Sequence, residues 1–147
     1  MNNRIKLELM SLSQNESLAR AVAAAFITPL DPTLEELADV RTAVSEAITN
    51  AIIHGYRNTS GIITMLLELD GKILTVAVED KGCGIEDIEL AKTPFYTSGN
   101  GGERSGMGFA VMQAFMDSLE VISAPGSGTT VIMKKTLSSS ERIDDRI

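Results

Sequence analysis

A carboxylate and a carboxamide stand four residues apart in Glu46-Ala-Ile-Thr-Asn50-Ala-Ile-Ile-His54-Gly55. On a helix that spacing puts Glu46 and Asn50 on one face. The Glu46 carboxylate could then take a proton from an attacking hydroxyl, and the Asn50 amide oxygen could ligate Mg²⁺ beside phosphate oxygens. A lone Glu-x-x-x-Asn is ordinarily an exposed polar stripe. Two further motifs change that reading.

The second motif is Asp80-Lys-Gly82-Cys-Gly84, an acidic residue ending a strand before a glycine turn. Gly82 and Gly84 let the backbone turn tightly against a flat ligand. The Asp80 carboxylate accepts hydrogen bonds only, which suits the exocyclic amine of adenine. The third motif, Ser105-Gly106-Met107-Gly108-Phe109, opens a helix whose free N–H groups favour anions. Arg104, just before it, could reach a γ-phosphate as a charge-assisted donor. In this order the motifs describe an ATP site, and since no Gly-x-x-x-x-Gly-Lys-Ser/Thr occurs, it is not a P-loop.

His54 reads as a packing or helix-capping residue, Cys83 as a small spacer, and the methionines as core and pocket filler. Thr129 and Thr130 follow a Pro125-Gly126 turn, and a threonine hydroxyl beside Asp80 would complete an adenine pocket.

These residues need a scaffold, and 147 residues with 44% hydrophobic content provide for one ordered domain. The net charge is −7, with Lys and Arg scattered, which argues against direct nucleic-acid binding. A single cysteine excludes an internal disulfide and a cysteine-based zinc site. With no signal peptide and no apolar run near membrane length, the expectation is a cytoplasmic protein without membrane contact.

Alternation predicts a strand over 5–9, and Ser13 with Glu16 forms a capping-box pattern opening a helix to about 27. After Pro29 and Asp31-Pro32, a second helix from about 33 carries Leu34, Leu37, Val40, Val44, Ile48 and Ala51 on its apolar face. It stops at His54-Gly55, with Gly55 in the left-handed C-terminal position. Strands over 62–69 and 72–78 flank Asp70-Gly71, a hairpin signal. A short acidic helix over 86–91, a glycine-containing loop over 93–104 and a helix over 106–116 follow. Strands over 119–123 and 129–135 come last. The order implies an α/β (α+β) two-layer sandwich: a mixed, mostly antiparallel sheet with helices on one face. Residues 1–136 form the single domain, and 137–147 a polar tail.

The three boxes resemble the Bergerat-type ATP-binding fold shared by gyrase, Hsp90-type chaperones, histidine kinases and the MutL mismatch-repair proteins. The chain is short for a topoisomerase or chaperone, and it lacks a sensor kinase's phosphoacceptor histidine and dimerisation helices. A closer resemblance lies in Leu12-Ser-Gln-Asn-Glu-Ser-Leu-Ala-Arg20, Leu30-Asp-Pro-Thr-Leu-Glu-Glu-Leu37, Val44 through Tyr56 and Glu103-Arg-Ser-Gly-Met-Gly-Phe109. Through them the chain resembles the sporulation anti-sigma F factors of endospore-forming bacilli. That resemblance implies an ATP- and Mg²⁺-dependent protein serine kinase, as a homodimer, that holds sigma factor F. Its substrate would be a serine of an anti-anti-sigma protein.

Carried over by motif position, Glu46 is implied as general base and Asn50 as the Mg²⁺ ligand. Asp80 would bind adenine with Gly84 and Thr130, while Arg104 and the Ser105–Phe109 backbone hold the phosphates. The loop over 93–104 matches the ATP lid, and Arg20 a partner-contact position. The strand over 5–9 is the plausible edge for dimer pairing. Alternatives within the same architecture are a general-stress anti-sigma kinase and the catalytic domain of a histidine kinase.

Overall fold

A computed structural model of the protein describes residues 2–93 and 108–138. Its strands are β1 (Asn2–Met10), β2 (Ile62–Asp70), β3 (Ile73–Asp80), β4 (Ser118–Ser123) and β5 (Thr129–Thr136). The helices are α1 (Gln14–Ile27), α2 (Leu34–Asn50), α3 (Ile88–Ala91) and α4 (Gly108–Phe115).

The strands form one sheet in the order β1-β2-β3-β5-β4. Each neighbouring pair is antiparallel, so the described sheet is not mixed as expected. The reason is the return path: β3 runs out at Asp80, and β5 enters at that same end, with Thr129 opposite Asp80. Period-two alternation gives the sheet two unlike faces. Ile63, Met65, Leu67, Leu69, Leu74, Val76 and Val78 are buried under the helices, while Thr64, Leu66, Thr75 and Ala77 point the other way. Helices on one face of this sheet make the expected two-layer α+β sandwich.

Within the helix layer α2 is central, packed between α1 and α4. Its buried residues Val40, Ala43, Val44, Ala47 and Ile48 recur at three- and four-residue intervals, a core-facing stripe. Burying a Val, Leu, Ile or Met side chain stabilises the fold by roughly 1.5–3 kcal/mol. Leu34 departs from the expected stripe and is 85% exposed, because it heads the helix before any neighbouring layer covers it.

The local signals fell unevenly. Ser13 caps α1 by position, but its side chain makes no capping bond and its backbone is helical. The capping box belongs to α2 instead. The Thr33 Oγ1 accepts from the Glu36 N–H at 2.9 Å, and the Thr33 N–H donates to Glu36 Oε1 at 2.9 Å. Gly55 is not left-handed. Beyond Asn50 the helix loosens into a π turn, Ala51–Gly55, and the left-handed residues are Arg57 (φ 52°) and Asn58 (φ 64°). In the β2–β3 hairpin Asp70 pairs with Ile73, so the turn is Gly71-Lys72, one residue later than expected.

The acidic helix is shorter than its sequence suggested, with Asp87 accepting from the Leu90 N–H at its start. The tail also begins later than residue 137. Leu137 is fully buried, with its N–H donating to the Lys72 carbonyl at 2.8 Å. Ser138 donates to Glu36 Oε2 from both N–H (2.8 Å) and Oγ (2.9 Å).

Candidate functional site

Between the C-terminal end of α2 and the Asp80 end of the sheet lies a cavity of about 810 Å³, a size typical of small-molecule sites. Asn50, Asp80, Gly84, Gly108 and Thr129 are among its walls. Ala51, Val78, Ile85 and Val131 supply apolar lining. Each motif contributes a wall, because α2, the turn after β3 and the start of α4 converge here.

Asp80 sits in a close backbone enclosure. It is 6% exposed, and its Oδ1 accepts from the Gly82 N–H at 2.9 Å. Burial pushes its carboxyl above the ordinary carboxylate range. The N–H donors of Gly82 and Thr129 work against that rise, and the neighbouring Glu79 charge adds to it. Three glycines make the enclosure possible. A Cβ on Gly55 would lie 2.7 Å from the Asp80 carboxyl carbon, and one on Gly82 2.0 Å from the Gly55 carbonyl oxygen. At Gly128, with φ of +78°, it would lie 2.2 Å from the Asp80 carbonyl oxygen. Gly55 is therefore small to admit a carboxylate, not to reverse the chain.

The turn itself is tied to the helix end. The Cys83 N–H donates to the Gly55 carbonyl at 2.9 Å, and its thiol to the His54 carbonyl at 3.2 Å. Gly84, with φ of +77°, faces the Ala124 carbonyl, where a Cβ would lie 1.9 Å from the oxygen. A Cβ at Gly108 would meet the Asn50 amide at 2.8–2.9 Å, so α4 starts directly against that side chain. Phe109 lines the cavity beside it.

One expected residue is misplaced. Thr130 pairs with Glu79, and alternation turns it to the open sheet face. Thr129 is opposite Asp80, is 8% exposed, and holds its Oγ1 2.9 Å from Ser123 Oγ. The strand parity that separates the two threonines is readable once β3 and β5 are paired. Glu46 is half-buried one turn before Asn50 and does not itself line the cavity.

Arg20 stands apart on α1, paired with Glu16 at 2.5 Å and donating to Ser17 Oγ at 3.1 Å. Arg104, Ser105, Gly106 and Met107, with the expected lid, lie outside the described residues. Sequence reasoning missed Tyr56, whose hydroxyl accepts from the Lys81 N–H at 2.8 Å and donates to the Ile62 carbonyl. It also missed Arg57, which lines the cavity.

Comparison with known proteins places this geometry. The model of the histidine kinase-like ATPase domain matches residues 10–135. An anti-sigma F factor of Clostridium kluyveri is 56% identical over 138 residues, covering 94% of this chain and 97% of that protein. Anti-sigma F factors of Thermoanaerobacter sp. strain X514 (57% identical, 93% and 96% covered) and Caldanaerobacter subterraneus subsp. tengcongensis (58%, 91% and 94%) are similarly related.

Among solved structures, the RsbU and RsbW domains of Rv1364c from Mycobacterium tuberculosis share the fold at a TM-score of 0.65 and 20% identity. That match covers 92% of this chain and 32% of that one. Full-length ShkA in complex with AMPPNP aligns at a TM-score of 0.55 and 18% identity, covering 84% and 30%. The chain belongs to the histidine kinase-like ATPase domain family, and within it to the family of the anti-sigma F factors.

Proposed function

We propose that the chain is an ATP-dependent protein serine kinase and anti-sigma factor. It holds the sporulation sigma factor F and phosphorylates a serine of an anti-anti-sigma protein, acting in the cytoplasm as a homodimer. The observation that carries this reading is the juxtaposition of Asp80 and Asn50 as lining residues of one cavity. The first is a buried acceptor suited to an adenine amine, and the second an amide oxygen against the start of α4. The anti-sigma F relatives support the partner assignment.

The donor set suits Mg²⁺ of a particular kind. Among the described residues no cluster of three or more His, Cys, Asp or Glu could hold a metal, so Asn50 offers a single oxygen. Magnesium commonly keeps several waters and takes one or two protein ligands together with substrate phosphates, and such an ion fits here. Bound there, it would neutralise charge on the phosphates. Glu46, one turn from Asn50 on the same helix, takes the proton of the incoming serine hydroxyl. Asp80 orients the base, and Arg104 with the backbone of residues 105–109 holds the phosphates. Positioning and charge neutralisation supply most of the rate in such transfers. Arg20, on α1, contacts protein partners, and β1, an edge strand of the sheet, pairs the two protomers.

The test incubates the purified protein with γ-labelled ATP, Mg²⁺ and host extract, then measures the acid stability of the label. Acid-stable label on a separate small protein is expected, and Glu46→Gln should bind ATP normally yet transfer no label. Acid-labile label would replace this reading with histidine-kinase chemistry. Undiminished transfer by Glu46→Gln would remove Glu46 as the base.

A further inference from the structure

Arg57 is exposed yet lines the cavity, and it is the one lysine or arginine doing so among the described residues. The carboxylates on the same lining are Asp80, Glu86 and Asp87. No hydrogen bond or ion pair among the described residues occupies its guanidinium. Its backbone is left-handed, as is that of Asn58 after it. That conformation is unfavourable for a residue bearing a Cβ, and such strain persists only where the surroundings enforce it. Here they do. The Asn58 N–H donates to the Ile52 carbonyl at 3.0 Å and the Thr59 N–H to the Tyr56 carbonyl at 2.9 Å. The Tyr56 hydroxyl braces the same segment against Lys81.

The position also fixes which side of the cavity Arg57 serves. It follows by two residues Gly55, whose α-carbon abuts the Asp80 carboxylate. From Asn50, against which α4 begins, it is separated by the π turn Ala51–Gly55. Chain position therefore sets Arg57 beside the Asp80 wall, the side assigned to the base in the proposed function. A guanidinium is planar, weakly hydrated and well suited to lie on an aromatic ring.

We propose that Arg57 closes the base side of this cavity by stacking its guanidinium on the adenine ring, making it a nucleotide-affinity residue outside the three motifs. This rests on the reading of the cavity as an ATP site. The strained turn then serves to aim the side chain across the opening.

The test is equilibrium titration of the wild-type chain, Arg57→Asn and Arg57→Gly with ATP, ADP and adenosine. Asparagine and glycine both tolerate a left-handed backbone, so the fold is retained. A base contact is common to the three ligands, and each substitution should weaken all of them by the same factor, about threefold to tenfold. Unchanged affinities would overturn the proposal, and so would a loss confined to ATP and ADP, which would mark a phosphate contact. A wild-type chain that binds none of the three would overturn the ATP-site reading itself, before any substitution is compared.

Discussion

At the scale of single residues, the site is organised around a carboxylate that the fold keeps from water. In the proposed function Asp80 accepts from an adenine amine, and its ionised form, which only accepts, is the stronger acceptor. Burial raises its carboxyl above the ordinary range, and nucleotide affinity should therefore fall as pH drops through that raised value, earlier than for an exposed aspartate. Asp80→Asn should bind nucleotide weakly and show no such pH dependence, as titrations across the acid range would reveal. The two threonines make a paired comparison. Thr129→Val removes a hydroxyl beside Asp80 and should weaken binding by about threefold to tenfold, the worth of one hydrogen bond. Thr130→Val, on the opposite sheet face, should leave affinity unchanged. Equal losses in both variants would show that strand parity does not select the pocket threonine.

Elements explain what was legible in the sequence and what was not. Apolar periodicity predicted α2 and the five strands well, because burial on one face repeats at 3.6 or 2 residues whatever the tertiary details. Caps and turns were read less well, since they depend on competition between neighbours. Ser13 and Glu16 have capping-box spacing, but Glu16 pairs with Arg20, and Thr33 with Glu36 makes the box that forms. Gly55 looked like a helix terminator because its reason, the Asp80 carboxylate, lies 25 residues away in sequence. Of the site, Asn50, Asp80, Gly84 and Gly108 were located by motif, whereas Thr129 needed the strand register and Arg57 needed the turn geometry.

Glu36 carries an element-level prediction. Burial works to raise its carboxyl, but hydrogen bonds from Thr33 and Ser138 outweigh it and hold the group below the ordinary range. A carboxyl lowered in the folded state stabilises above its unfolded value, and that contribution is lost as pH falls through the folded value. Thr33→Ala should cost about 1 kcal/mol, the usual worth of such a cap. Glu36→Gln should lower Tm at neutral pH, with the difference from wild type shrinking at acid pH. A difference independent of pH in thermal melts would rule out the carboxylate as its source.

At the scale of the molecule, the cavity draws walls from residues as far apart as Ala47 and Val131, so whatever fills it bridges the helix layer and the sheet. Such a ligand should stabilise the whole domain. ATP at a hundredfold excess over its Kd adds about 2.7 kcal/mol. For a chain of this size that corresponds to a rise in Tm of roughly 7–10 °C. A melting temperature indifferent to ATP concentration would speak against the site.

The sheet order has one more consequence. β5, the last described strand to be synthesised, is inserted between β3 and β4 rather than added at an edge. A nascent chain that has emerged only to β4 leaves the long flank of β3 unpaired, and Asp80 without Gly128 and Thr129 around it. The Asp80 enclosure is thus closed only when residues 128 and 129 have joined β3, so the cavity floor forms after every other described strand has been made.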